Sequence, residues 1–373
     1  MDTIIGIAWT MLGAVFLGTF ALPSKYIKKY AWENTWGAFF FFAMLIVPVG
    51  FAMLVVKDLW ATYADVPWLI IFGVMGLSFM WGCGFSCWGY GLSMLGLSIG
   101  YSLTMGTMAL VGSMVPFFLT LMEGKELVLT TPDMVVFAGI LVCILGVAIN
   151  GFAGAKREKS QAAGASQTQE AGKGKSVLMG IFVCILAGVL SSGLNIAFHI
   201  GNNNKAVRIG RSDEAARTGD SDEARFARIA RISEKEFGNA PWVAGLSTWT
   251  LVFLGGAISS VAFSFILLCK NKTWKSFAAQ GSGMNLLLAF IMAVGHFACI
   301  FFYGIGGWKL GRLGTSVGFA IFQSGSLIIG NGLGFLTGEW RGSSSQSKGW
   351  LFVGLAVLIL GIVVVSIGNA MSS

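Results

Sequence analysis

Charge is what this chain has least of: of 373 residues only 11% are Asp, Glu, Lys or Arg, while 55% are hydrophobic. Soluble domains carry about 25% charged residues, so a fold surrounded by water is excluded and a membrane protein is implied. Histidine occurs only twice, as His199 and His296. The six cysteines fall in or beside apolar runs, and the Cys83/Cys87 pair has no His or carboxylate next to it. Packing is their expected role, with neither a disulfide framework nor a metal site implied. No Lys or Arg lies deep enough in an apolar run to hold a phosphate, and no mid-run Glu stands ready for a cationic drug. No HExxH, paired Asp or Ser/Lys arrangement supports an intramembrane hydrolase. The expectation is a protein that is not an enzyme and carries no cofactor. The net charge of +8 comes from basic residues in the gaps between apolar runs, which points to the membrane surface and away from nucleic acid.

Long apolar runs occupy the rest. A helix needs about 20 apolar residues to cross roughly 30 Å of hydrocarbon. Ten such runs are legible, at about 3–23, 36–56, 67–91, 94–122, 132–153, 177–201, 241–268, 284–306, 313–338 and 349–370. The first has Asp2 before it and Lys25, Lys28 and Lys29 after it, the charge order of a membrane span and not of a signal peptide. The Gly-, Ala- and Ser-rich stretch 154–176 reads as a flexible linker between halves 1–153 and 177–373. The second half carries a charged insert at 202–240, with eight Lys or Arg and seven Asp or Glu. Within it Phe226, Ile229, Ile232 and Phe237 recur near helical spacing, so either a short amphipathic helix on the membrane surface or a solvated loop is expected. The odd-numbered gaps hold most of the Lys and Arg until the insert's eight are added. The two sides then nearly balance, and the side the termini face stays open.

The halves repeat one another. LGLSIGYSL (95–103) returns as LGTSVGFAI (313–321), and at the same offset Gly112 faces Gly330 and Phe117 faces Phe335. GIAWTMLGAVFLG (6–18) aligns with GIFVCILAGVLSS (180–192), a register that sets Lys25 opposite His199. Two copies of a five-span unit must enter the bilayer from opposite sides, because five is odd. Such inverted repeats mark transporters that alternate access around a central site. The pairs Gly96/Gly100 and Gly314/Gly318 are small-xxx-small motifs inside the repeated phrase, expected to let the two equivalent helices pack closely.

His296 is the one ionisable residue near the middle of an apolar run, so it is either neutral and packed or a proton relay. Lys25, His199, Glu123, Lys309, Arg312 and Glu339 stand near span ends, where snorkelling to the interface is expected. Amides and aromatics inside spans suit a neutral sugar, which offers hydroxyls and apolar C–H faces: Trp81, Trp88, Tyr90, Tyr101, Asn195, Gln323 and Asn331, with Tyr303 beside them. Interface anchoring or plain packing is the alternative for each aromatic.

The stretches ALPSKYIKKYAWENTWGAFF (21–40), WG…YGLSMLGLSIGYSLTMGTMALVGSMVPF (81–117) and, more loosely, GxxxGxLTGEW (330–340) resemble the L-rhamnose–proton symporter family, a branch of the drug/metabolite transporter superfamily. The resemblance runs through all ten spans. It implies an all-α bacterial plasma-membrane protein of ten helices in two inverted five-helix halves, importing a monosaccharide with the proton as coupling ion. An uncoupled exporter or facilitator, and a non-transporting sugar sensor signalling through 202–240, are the alternatives. A small sugar and membrane lipids are the partners this implies; the oligomeric state stays open.

Overall fold

The computed structural model describes residues 2–95, 97–122, 129–164, 174–202 and 229–371. Every regular element among them is helical. With no water to satisfy backbone groups in hydrocarbon, a chain this apolar has the helix as its available spanning form. Among the described residues ten helices are long and apolar enough to cross a bilayer: α1 (Asp2–Tyr26), α2 (Trp32–Val55), α3 (Trp68–Trp88), α4 (Gly100–Met122), α5 (Thr131–Gln161), α6 (Leu178–Asn202), α7 (Pro241–Asn271), α8 (Ser282–Lys309), α9 (Gly311–Leu336) and α10 (Ser345–Met371). An even number of crossings returns both termini to one side, called here the near face, with the opposite one the far face. An ion pair from Asp2 to Lys309 at 3.1 Å lies on the near face, and one from Lys25 to Glu339 at 2.8 Å on the far face.

Two polar segments differ from the reading of the sequence. The α5 helix continues unbroken to Gly164, and the helix of α6 starts at Gly174, so helix takes much of the stretch read as a linker. Ala, Glu, Lys and Gln dominate its first part, and their helix propensity extends a helix already nucleated in the membrane. In the insert, residues 203–228, Phe226 included, lie outside the described residues, while Ile229–Lys235 forms a short helix. It does not lie on the membrane surface: Ile229 and Ile232 are buried against α7 and the near-face helix Leu59–Asp65. Asn239 fixes it there, donating to the Lys57 carbonyl at 3.0 Å and to Ser233 Oγ at 3.0 Å.

Helix packing is set by glycines. α5 and α10 lie antiparallel along most of their length, with Val365 against Gly139, Leu358 against Gly146 and Cys143 against Gly361. A β-carbon at Gly361 would stand 2.7 Å from the Cys143 backbone nitrogen, so the two backbones touch. α1 packs on α8 and α9, and α6 packs on α3 and α4. Individual contacts recur between these two groups: Gly6 meets Leu310 as Gly180 meets Leu95, Thr10 meets Gly306 as Cys184 meets Gly91, and Gly13 meets the Cys299 carbonyl as Gly84 meets that of Ala187.

The repeated phrase works differently from the expectation drawn on it. Gly314 and Gly318 pack on α8, beside Gly307 and Tyr303, and not on α4. The facing residue Gly307 is itself a glycine, which permits the close approach there. α4 and α9 meet further along, where the Phe319 ring fills the space over Gly112. Gly96 lies outside the described residues; Gly100 is buried at the start of α4.

Candidate functional site

The interior is built where α1, α2, α3, α7 and α8 converge on His296. Its ring lies 5.2 Å from Phe20, 5.5 Å from Phe39 and 5.9 Å from Phe253, each edge-to-face, and stacks nearly parallel to Trp81 at 6.4 Å. Trp81 and His296 are both under one-tenth exposed. His296 Nδ1 is buried without a hydrogen-bond partner. A neutral imidazole packs in such a box.

A run of rings leads from this box toward the far face. Phe39 touches Trp36 at 5.3 Å, Trp36 touches Phe85 at 5.8 Å, Phe85 touches Trp88 at 5.1 Å and Trp88 touches Tyr101 at 6.1 Å. Trp36, Phe85, Trp88 and Tyr101 are half-buried. The local reason for the shape of α2 here is a π-helical turn at Phe41–Ile46 just before Pro48. Proline supplies no backbone N–H, and π-turns recur at functional sites.

A second polar group closes the near-face half. α6 is interrupted at Ser192, beside Gly193, between helices Gly174–Ser191 and Gly193–Asn202. Asn195, fully buried just past that break, donates through Nδ2 to the Gly112 carbonyl at 2.7 Å and to the Thr315 carbonyl at 3.0 Å. Its Oδ1 accepts from the Tyr303 hydroxyl, which also reaches the Thr315 carbonyl at 3.2 Å. His199 Nδ1 is 2.7 Å from Thr315 Oγ1, and His199 is only 3% exposed. It does not snorkel: the near face is thickened there by α7 and the Ile229–Lys235 helix. Trp249 stacks on Phe198 at 3.9 Å to complete this half.

The residues proposed from sequence therefore fall into separate groups. Trp81 joins His296, and Trp88 joins Tyr101. Gln323, 4% exposed, has its Nε2 buried without a partner. Asn331 donates to the Leu327 carbonyl of its own helix at 2.9 Å. Asn195 is spent on protein partners. The Tyr90 side chain lies outside the described residues. Trp36, Phe39 and Thr315 were missed, since an aromatic near a span end reads as an interface anchor and a threonine reads as nothing in particular. Two grooves, about 470 Å³ between α4 and α5 and about 360 Å³ between α2 and α7, are lateral and apolar, and contain none of these residues.

Fold and interior together define a multi-pass α-helical membrane protein with an aromatic and amide-bearing core. The sequence model of the L-rhamnose-proton symport protein (RhaT) family matches residues 1–212, and the chain belongs to that family. It is 24% identical over 374 residues to the L-rhamnose-proton symporter of Pectobacterium atrosepticum, covering 98% of each chain. To the proteins of the same name from Pectobacterium carotovorum and Yersinia pestis it is 25% and 24% identical, again over 98% of each. The family is one of transporters, not enzymes, and with its ten spans the chain is a multi-pass protein of the bacterial inner membrane.

Proposed function

We propose that this chain imports a monosaccharide, L-rhamnose or a close relative, by proton symport, through alternating access of two inverted five-helix repeats of the drug/metabolite transporter type. The observation that carries the reading is His296: a titratable ring with an unpartnered buried nitrogen, boxed by aromatics where five spans meet. The relatives' printed names supply the sugar and the proton. The paired contacts of α1 with α8 and of α6 with α3 are what two copies of one unit, entering from opposite sides, produce. Rings that offer flat faces to sugar C–H groups, with the free amide of Gln323 for a hydroxyl, fit a neutral monosaccharide.

The test is uptake into vesicles reconstituted with the purified protein, after a binding screen against a monosaccharide panel that includes L-rhamnose. Making the lumen the more acidic side, or adding a protonophore, should stop accumulation while counterflow continues. Accumulation that ignores the proton gradient overturns the coupling, and a panel without any binding sugar overturns the substrate class.

A further inference from the structure

We propose that the groove between α4 and α5 is a lipid site: it seats one acyl chain of an anionic phospholipid, whose phosphate is held at the far face by Lys156. The site stands apart from the sugar and the proton, since no residue of the His296 box lines it.

Small residues make the groove. Ser102, Gly106, Ala148 and Gly151 line it, and a β-carbon at Gly151 would stand 2.5 Å from Ser102 Cβ. Leu110 and Phe152 line it too and are both exposed, so it opens to the surrounding hydrocarbon. Its α5 wall runs from Ile144 to Ala155, a rise of ~16 Å at ~1.5 Å per residue. That is the depth of one leaflet, half of roughly 30 Å of hydrocarbon. No charged residue lies on α5 between Asp133 and Lys156. The groove therefore begins near mid-membrane and ends at the far-face boundary, the reach of a single acyl chain. An unfilled groove forfeits van der Waals contacts along its walls, and in a bilayer the chains of the lipid supply them.

Charge at the mouth decides which lipid. Lys156 Nζ lies 5.0 Å over the ring of Phe152, the residue that lines the far-face end of the groove. An ammonium is thereby set where the headgroup of a seated chain arrives. Lys159, exposed and three residues on, shares that flank of the helix, whereas Glu158 at two residues does not. Arg157 turns the other way, over Trp340 at 4.9 Å and toward Glu339 at 3.9 Å. The far face as a whole has the same sign. Its connecting segments 24–35, 154–176, 269–283 and 339–348 hold 13 Lys or Arg against four Asp or Glu. Basic clusters beside spans attract anionic headgroups, so the field and the groove select the same occupant.

Photocrosslinking tests the site in the full-length protein. Nanodiscs of phosphatidylcholine carry a trace of phosphatidylglycerol with a diazirine on one acyl chain, and crosslinked peptides are mapped by mass spectrometry after illumination. Crosslinks should fall within 102–110 and 144–155. Phosphatidylcholine bearing the same diazirine should crosslink there about fivefold less, the effect of one lysine near the surface. K156Q should lower the phosphatidylglycerol yield about fivefold, K156R should keep it, and K28Q, on the same face, should leave it unchanged. A148F fills the groove from an exposed position and should lower crosslinking with either headgroup. If A148F does not yield folded protein, K156Q and the headgroup comparison carry the test. Equal yields from the two headgroups, or a K156Q protein that crosslinks like the parent, mean ordinary lipid cover and overturn the site. A loss in K28Q equal to that in K156Q makes the effect one of general surface charge and likewise overturns it. Absence of groove crosslinks overturns the lipid, and a dimer seen by native mass spectrometry in that sample gives the groove to a second copy.

Discussion

His296 and Asn195 look alike in the sequence, each a polar residue alone in an apolar run, and the structure separates them. Asn195 has its donors and its carbonyl oxygen engaged by protein, so Asn195→Leu removes the acceptor at Oδ1 for the Tyr303 hydroxyl and the side-chain donor to the Gly112 and Thr315 carbonyls. A loss of about 1–3 kcal/mol follows, read as a lower melting temperature of the purified protein, with little change expected in sugar selectivity. His296 has a buried nitrogen with no partner. His296→Ala should abolish uptake driven by a pH gradient while leaving sugar binding measurable; unchanged gradient-driven uptake removes His296 from the coupling. Gln323 shares that open valence. Gln323→Leu should weaken sugar binding about tenfold and leave thermal stability level or higher, because an unpaired amide leaves the interior. If stability falls and binding holds, Gln323 is a packing residue.

At the scale of the element, glycine decides which helices touch. The small-xxx-small pairs were readable, but their partner was not: Gly314 and Gly318 take α8, because Gly307 faces them there. The most extensive pairing, α5 with α10, uses glycines spaced seven apart, Gly354, Gly361 and Gly368, which present one face of α10 to α5. Gly361→Leu should separate α5 from α10 and lower the melting temperature in detergent, whereas Gly349→Leu, with open space around it, should not. Equal melting of the two variants would mean that the seam does not hold the pair. Helix ends are tied more locally: Asp133 caps α5 by accepting from Thr130 N at 3.1 Å and also pairs with Arg312 at 2.5 Å.

For the whole molecule, asymmetry between the faces is the main finding. The near face is sealed by Asn239, by the Ile229–Lys235 helix and by the Asn195 clasp, while the far-face half keeps its aromatics half-buried. Ile229–Lys235 packs on α7 and the near-face helix Leu59–Asp65, so replacing residues 203–228 with a short Gly/Ser link while keeping Ile229–Lys235 should preserve most uptake. Loss of uptake in a protein that still binds sugar would place an essential function in that segment, and would favour signalling over transport.

The sequence by itself determined the ten crossings and the membrane setting, because each is written in composition and in the length of apolar runs, which hydrocarbon solvent enforces directly. It also singled out His296, since an ionisable group in an apolar run stands out without any structure. Only the tertiary structure decided that Asn195 is spent on a clasp, that His199 is buried, and that Trp36 and Phe39 link the His296 box to Trp88. Those outcomes depend on which faces of distant helices meet, and that is set by glycine approaches between spans that no local pattern pairs.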